Sequence, residues 1–152
     1  MNVVVVGAGS WGSAFSCLLR DAGHAVTLAA RDPEQAAAIA ATGRNPRYAQ
    51  TADLRGIEAT TIVDAPVADA ELVVVAVPSR VFGEVVDELP GTAPILSLTK
   101  GLDPASGARL STLVRDRRVA VLSGPNIAEE IARSLPAAAV VASEELALAV
   151  LV

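Results

Sequence analysis

An apolar run at the start of the chain, Met1–Val6 (M-N-V-V-V-V), leads directly into Gly7-Ala8-Gly9-Ser10-Trp11-Gly12, and an apolar-periodic segment follows. Strand, G-x-G-x-x-G, helix is the local order that holds a dinucleotide pyrophosphate. Gly7 permits the tight turn, Gly9 lets the backbone approach phosphates, and Gly12 lets the helix pack close to the strand. The free amides of the first helical turn then face the anion, and the helix dipole adds to the attraction. A glycine loop alone is weak evidence, and its bland reading is a structural turn with no ligand. Its place behind an N-terminal strand favours the nucleotide.

The rest of the chain repeats the alternation. Strands are expected at Val3–Val6, Ala25–Ala30, Thr60–Val63, Leu72–Val77, Pro94–Leu98, Val119–Leu122 and Ala137–Ala142. Helices are expected over Trp11–Asp21, Glu34–Ala41, Arg80–Leu89, Gly107–Arg115 and Pro125–Arg133, with a helical turn near Val67–Asp69 and a last helix from Glu144 onward. Asp32 caps and Pro33 opens the second helix. Strands separated by helices imply a mostly parallel, doubly wound α/β sheet of the Rossmann type. The 152 residues suffice for one domain, and the 52% hydrophobic content, rich in Ala, Val and Leu with few aromatics, suits such a sheet under alanine-rich helices.

Composition narrows the partners. The net charge is −5, without a basic cluster, so nucleic acid is not an expected partner. No apolar run approaches the roughly 18 residues of a membrane span. The start carries no basic segment of an export signal. The sole cysteine, Cys17, reads as a small core residue and fits a reducing compartment, so the cytoplasm is expected. No metal site is expected. The chain stops inside an apolar stretch, A-L-A-V-L-V, without a cap. The expectation is a piece of a longer protein that lacks a second domain. Apolar side chains of 144–152 would then be exposed, and association into a homo-oligomer is expected.

In an open α/β sheet, ligands bind beyond the carboxyl ends of the strands. The residues expected there are Ser10 and Trp11, Arg31 and Asp32, Pro78 and Ser79, Thr99-Lys100-Gly101, and Ser123-Gly124-Pro125-Asn126. Arg31 suits the 2′-phosphate of NADP, whereas Asp32 suits the ribose 2′-hydroxyl of NAD or is only a helix cap. The balance favours NADPH without excluding NADH. Lys100, the only lysine, lies at a strand end where it can meet a substrate phosphate or oxygen. Asn126 and the turn before it suit a second anion or a hydroxyl. His24 falls at the opposite, amino edge and reads as a turn residue. Glu129 and Glu130 read as structural or solvated residues at a helix start.

Taken together, G-A-G-S-W-G-S-A at 7–14, A-R-D-P-E at 30–34, N-P-R-Y at 45–48, V-P-S at 77–79, T-K-G-L-D at 99–103 and L-S-G-P-N-I-A-E-E-I-A at 122–132 form an ordered set. This set resembles the N-terminal half of the bacterial NAD(P)-dependent glycerol-3-phosphate dehydrogenases. The resemblance implies interconversion of sn-glycerol 3-phosphate and dihydroxyacetone phosphate, for glycerophospholipid synthesis. It implies cofactor contacts from the glycine loop (Gly7, Gly9, Ser10, Trp11, Gly12), Arg31, Asp32, Tyr48, Pro78, Lys100 and Ala128. It implies substrate contacts from Lys100, Gly124 and Asn126. Asp32 stands where many members carry a second basic residue, Asn126 where Ser or Thr is frequent, and Ala-Gln follows Tyr48 where Leu-Pro is common. The family's general acid/base lysine belongs to a helical C-terminal domain expected beyond residue 152. The expectation for this chain is therefore dinucleotide binding with very slow turnover. The alternatives are a nucleotide-binding module without catalysis and a related dehydrogenase of the β-hydroxyacid type.

Overall fold

Val3–Val6 are each at most 2% exposed, so the first strand is covered on both faces. That is what a strand of four consecutive valines demands, and only a central position in a two-sided sheet supplies it. The computed structural model describes residues 1–152. Seven strands form one sheet: β1 (Asn2–Val6), β2 (Ala25–Ala30), β3 (Glu58–Thr61), β4 (Leu72–Val75), β5 (Ile95–Ser97), β6 (Val119–Ser123) and β7 (Val140–Ser143). Their order is β3-β2-β1-β4-β5-β6-β7, with β1 to β6 parallel. The register pairs Val6 with both Ala29 and Val75.

Five helices accompany the sheet: α1 (Ser10–Asp21), α2 (Pro33–Thr42), α3 (Ser79–Glu88), α4 (Ala128–Ala132) and α5 (Leu146–Leu151). Alternate strand residues divide the interior into two clusters. Val3, Val5, Leu28 and Leu96 pack with Phe15 of α1, Ile39 of α2 and Leu148 of α5. Val4, Val6, Val73 and Ile95 pack with Phe82 and Val86 of α3 and with Leu110. The chain leaves β3 and enters β4 on the other side of β1, so the connection reverses direction at the carboxyl ends of β1 and β4. That reversal point is where open α/β sheets receive ligands. No helix is long and apolar enough to cross a membrane.

Three features refine the expectations. First, the sheet is mostly parallel as expected, and its exception is β7, which runs antiparallel to β6. β7 starts at the carboxyl edge, where Val140 pairs with Ser123 at the end of β6. Second, the helix expected over Gly107–Arg115 is a single 3-10 turn, Leu110–Leu113. Asp103 accepts from the Ser106 amide at 2.9 Å and from its hydroxyl at 2.6 Å, and Leu102 bridges to Arg109. The residues that would begin a helix are spent in this closed loop. The face of β5 to β7 is consequently open, with a cleft of about 850 Å³ reaching Ser97, Val119 and Val121. Third, β3 begins and ends two residues before its expected bounds, because the Thr61 hydroxyl donates to Asp64 at 2.5 Å and turns the chain.

Candidate functional site

At the end of β1, the Gly7 amide donates to the Ala29 carbonyl at 2.9 Å, and Gly7 then takes φ +112°. A Cβ there would lie 2.5 Å from the Ala76 carbonyl oxygen. A Cβ on Gly12 would collide with the Gly7 carbonyl, so the first turn of α1 rests directly on the loop backbone. Gly9 differs: nothing lies within 4 Å of where its Cβ would be. Gly9 is also the N-cap of α1, which has no side-chain cap and no acidic residue in its first turn. The first amides of a helix have no intrahelical acceptor, and those of Ser10, Trp11 and Gly12 make no backbone hydrogen bond. The Trp11 indole Nε1 is buried without a partner, while its ring leans on Phe15 with centroids 5.8 Å apart. A donor set of this kind, beside a cradle that a Cβ would fill, fits the pyrophosphate of a dinucleotide.

A buried polar knot fixes that loop from behind. Asn45, 2% exposed, donates from Nδ2 to the Ala8 carbonyl and to the Ser13 hydroxyl, each at 2.9 Å. Its Oδ1 accepts from Gln35 Nε2 at 3.0 Å and from the amides of Arg47 and Tyr48 at 3.0 and 3.1 Å. Gln35 also donates to the Ala8 carbonyl, at 2.9 Å. The sequence pattern assigns no role to Gln35, and Asn45 enters it only as the first residue of N-P-R-Y. The available signal was Gln35 itself, a polar residue one turn before Ile39 on the buried side of α2.

Beyond β2, Arg31 is exposed and makes no ion pair. Asp32 is the N-cap of α2, accepting from the Glu34 amide at 2.9 Å, and Arg47 reaches its other oxygen at 2.6 Å. The Glu34 amide, and secondarily Arg47, holds the Asp32 carboxyl below its ordinary range. Tyr48 presents an exposed ring, and Pro78 caps α3.

The second group gathers at β5 and β6. Lys100 Nζ donates to the carbonyls of Gly124 and Asn126 at 3.3 and 3.4 Å. Thr99 anchors this segment by donating to the Val77 carbonyl at 2.9 Å. Asn126 is 8% exposed, and neither polar atom of its side chain has a partner. A buried amide left unpaired costs free energy, and the ammonium of Lys100 meets the backbone carbonyl of the same residue. Ala128 is the first residue of α4, which packs on α1. Thr51 donates to Glu129 at 3.1 Å, tying α4 to the loop after α2. His24 lies at the amino edge as expected, beside the N-terminal amine.

A sheet in this order, with an uncapped helix start behind a glycine turn at the reversal point, defines a Rossmann-type dinucleotide-binding α/β protein. The profile of the NAD-dependent glycerol-3-phosphate dehydrogenase N-terminus matches residues 2–149, and the chain belongs to that family. It is 42% identical over 163 aligned residues to the glycerol-3-phosphate dehydrogenase [NAD(P)+] of Nocardia farcinica, covering 96% of this chain and 48% of that protein. It is 41% identical to the protein so named from Streptomyces avermitilis, covering 98% and 48%. Among solved structures, glycerol-3-phosphate dehydrogenase from Coxiella burnetii superposes with a TM-score of 0.88 at 29% identity, over 97% of this chain and 48% of that one. A ketopantoate reductase from Ralstonia eutropha reaches a TM-score of 0.60 at 28% identity, over 81% and 41%. The chain thus spans about half the length of the curated relatives it matches.

Proposed function

We propose that residues 1–152 form a single dinucleotide-binding domain, the cofactor half of an NAD(P)-dependent glycerol-3-phosphate dehydrogenase that works in the cytoplasm for glycerophospholipid synthesis. The observation that carries this reading is the placement of Lys100 against the turn holding the unpartnered Asn126 amide. That turn lies at the same sheet edge as the open start of α1. The relatives' printed activity supports the substrate pair. The lower similarity of the ketopantoate reductase weighs against another dehydrogenase chemistry.

In this reading the amides of Ser10, Trp11 and Gly12 hold the pyrophosphate, Arg31 and Asp32 meet the adenosine ribose, and Tyr48 and Pro78 flank the cofactor. Ala128 lies at the nicotinamide end. A nicotinamide dinucleotide held there would supply the hydride acceptor or donor for C2 of glycerol 3-phosphate. Lys100 stabilises the negative charge of the substrate oxygen and phosphate, and Asn126 with the Gly124 backbone orients the substrate hydroxyls. The proton at the C2 oxygen is left to a general acid/base outside these residues. The net charge of −5 without a basic cluster weighs against nucleic acid as a partner. The exposed Val140, Leu146, Val150 and Leu151 support self-association.

Trp11, the only tryptophan, tests the reading directly. Titration with NADPH and NADH is expected to quench its emission saturably and to sensitise cofactor emission. Absence of binding by either nucleotide overturns the proposal. Turnover by residues 1–152 alone is expected to be about 10²–10⁴-fold below that of the full-length relatives, the typical worth of a general acid/base.

A further inference from the structure

Asp32 stands where a carboxylate selects against NADP, because a 2′-phosphate placed beside it meets like charge. In this chain that carboxylate is already engaged. Its Oδ1 accepts the Glu34 amide at 2.9 Å, and its Oδ2 is 2.6 Å from Arg47 Nη2. Arg47 reaches it from the loop after α2, and the buried Asn45 fixes the root of that side chain by accepting the Arg47 amide at 3.0 Å. The guanidinium itself is 52% exposed. Neighbouring Arg31 has no acidic partner, and Glu34 is the remaining acid in this corner, in the first turn of α2.

We propose that Arg47 sets the cofactor preference of this chain by neutralising Asp32, so that Arg31 can receive a 2′-phosphate. The inference rests on the dinucleotide reading above. With Arg47 in place, Asp32 contributes its cap hydrogen bond to α2 but little net charge to the ribose pocket. Without Arg47, the same carboxylate faces the phosphate directly. Charges a few ångströms apart at a half-exposed site interact strongly enough to change affinity about tenfold. Arg47 is thus a specificity residue that acts through Asp32.

The test measures dissociation constants of NADPH and NADH by Trp11-sensitised emission, with 2′,5′-ADP and 5′-ADP as probes lacking the nicotinamide, read by calorimetry. Arg47→Gln is expected to shift the NADPH/NADH affinity ratio about tenfold toward NADH. Arg47→Lys keeps the charge and is expected to keep the ratio. Asp32→Asn retains a capping oxygen. In the double variant Asp32→Asn/Arg47→Gln it is expected to restore the ratio to within about twofold of the parent, the ordinary limit of additivity. An unchanged ratio in Arg47→Gln overturns the inference. So does a ratio that the double variant fails to restore, which would mean that Arg47 acts on the phosphate itself. Either failure leaves nucleotide binding intact. Failure of the parent chain to bind either nucleotide overturns the dinucleotide reading and this inference with it.

Discussion

The Asn45 side-chain amide donates to the Ala8 carbonyl oxygen at 2.9 Å, across 37 positions of sequence. A residue in the loop after α2 therefore holds the middle of the glycine loop after β1. Replacing Asn45 by Asp keeps the acceptor oxygens but loses the donor to Ala8. Gln35 still donates to the Ala8 carbonyl, but a carboxylate oxygen then faces that acceptor without a donor. An unmet buried polar group costs about 1–3 kcal/mol, and that loss of stability is expected in urea unfolding. NADH titration of the same variant is expected to show weaker binding, because the loop is no longer held. Unchanged affinity would detach Asn45 from the site.

Gly9 and Gly12 are expected to respond oppositely to alanine. At Gly12 a Cβ strikes the Gly7 carbonyl, so Gly12→Ala should disrupt α1 and lower the melting temperature strongly. At Gly9 the space is open and φ is −78°, so Gly9→Ala should change stability by no more than about 0.5 kcal/mol. Its cost should appear instead as lost dinucleotide affinity. Calorimetric melting and NADH titration separate the two.

Lys100 is expected to matter for the turn at 124–126 more than for the fold. It is exposed, and its partners are two carbonyls of 124–126. Lys100→Met should leave the melting curve nearly unchanged and accelerate amide hydrogen exchange at Asn126, whose N–H donates to Gly124 at 2.9 Å. Protection retained at Asn126 would remove Lys100 from the turn.

Acid should weaken the chain through three carboxylates. Besides Asp32, Asp53 is held well below the usual carboxylate range by hydrogen bonds from Arg55, and Asp103 is lowered by the Ser106 hydroxyl and amide. Each has a lower proton affinity folded than unfolded. The stability they contribute is present above the unfolded value, about pH 4, and is lost as pH falls through the folded value. Asp103→Asn should flatten the dependence of the urea midpoint on pH between about 5 and 3. An unaltered slope would contradict the assignment.

Local signals revealed what is local. Four valines before a glycine turn gave β1, and Asp32-Pro33 gave the start of α2 at Pro33. The sequence reading of the site also placed Lys100, Gly124 and Asn126 at one edge, where they now touch. What stayed hidden depends on distant partners. The antiparallel direction of β7 rests on its pairing with β6, which the local pattern of its own residues does not encode. The Asp103 loop competes with helix through its side chain, which apolar periodicity does not register. Asn45 reads as an ordinary turn residue before Pro46, and only the three-dimensional return of the loop makes it a hub. The pairing of Arg47 with Asp32 has the same origin.

The contact of Gly12 with the Gly7 carbonyl divides this surface into two kinds of inheritance. The glycine loop tolerates no added atom at Gly7 or Gly12, so every substitution there threatens the fold itself. Arg31 and Arg47 are exposed and Asp32 is only partly covered, and changes at such positions cost the interior little. Selection can therefore revise which nucleotide is preferred in single steps at the rim, while the part shared by both nucleotides stays frozen.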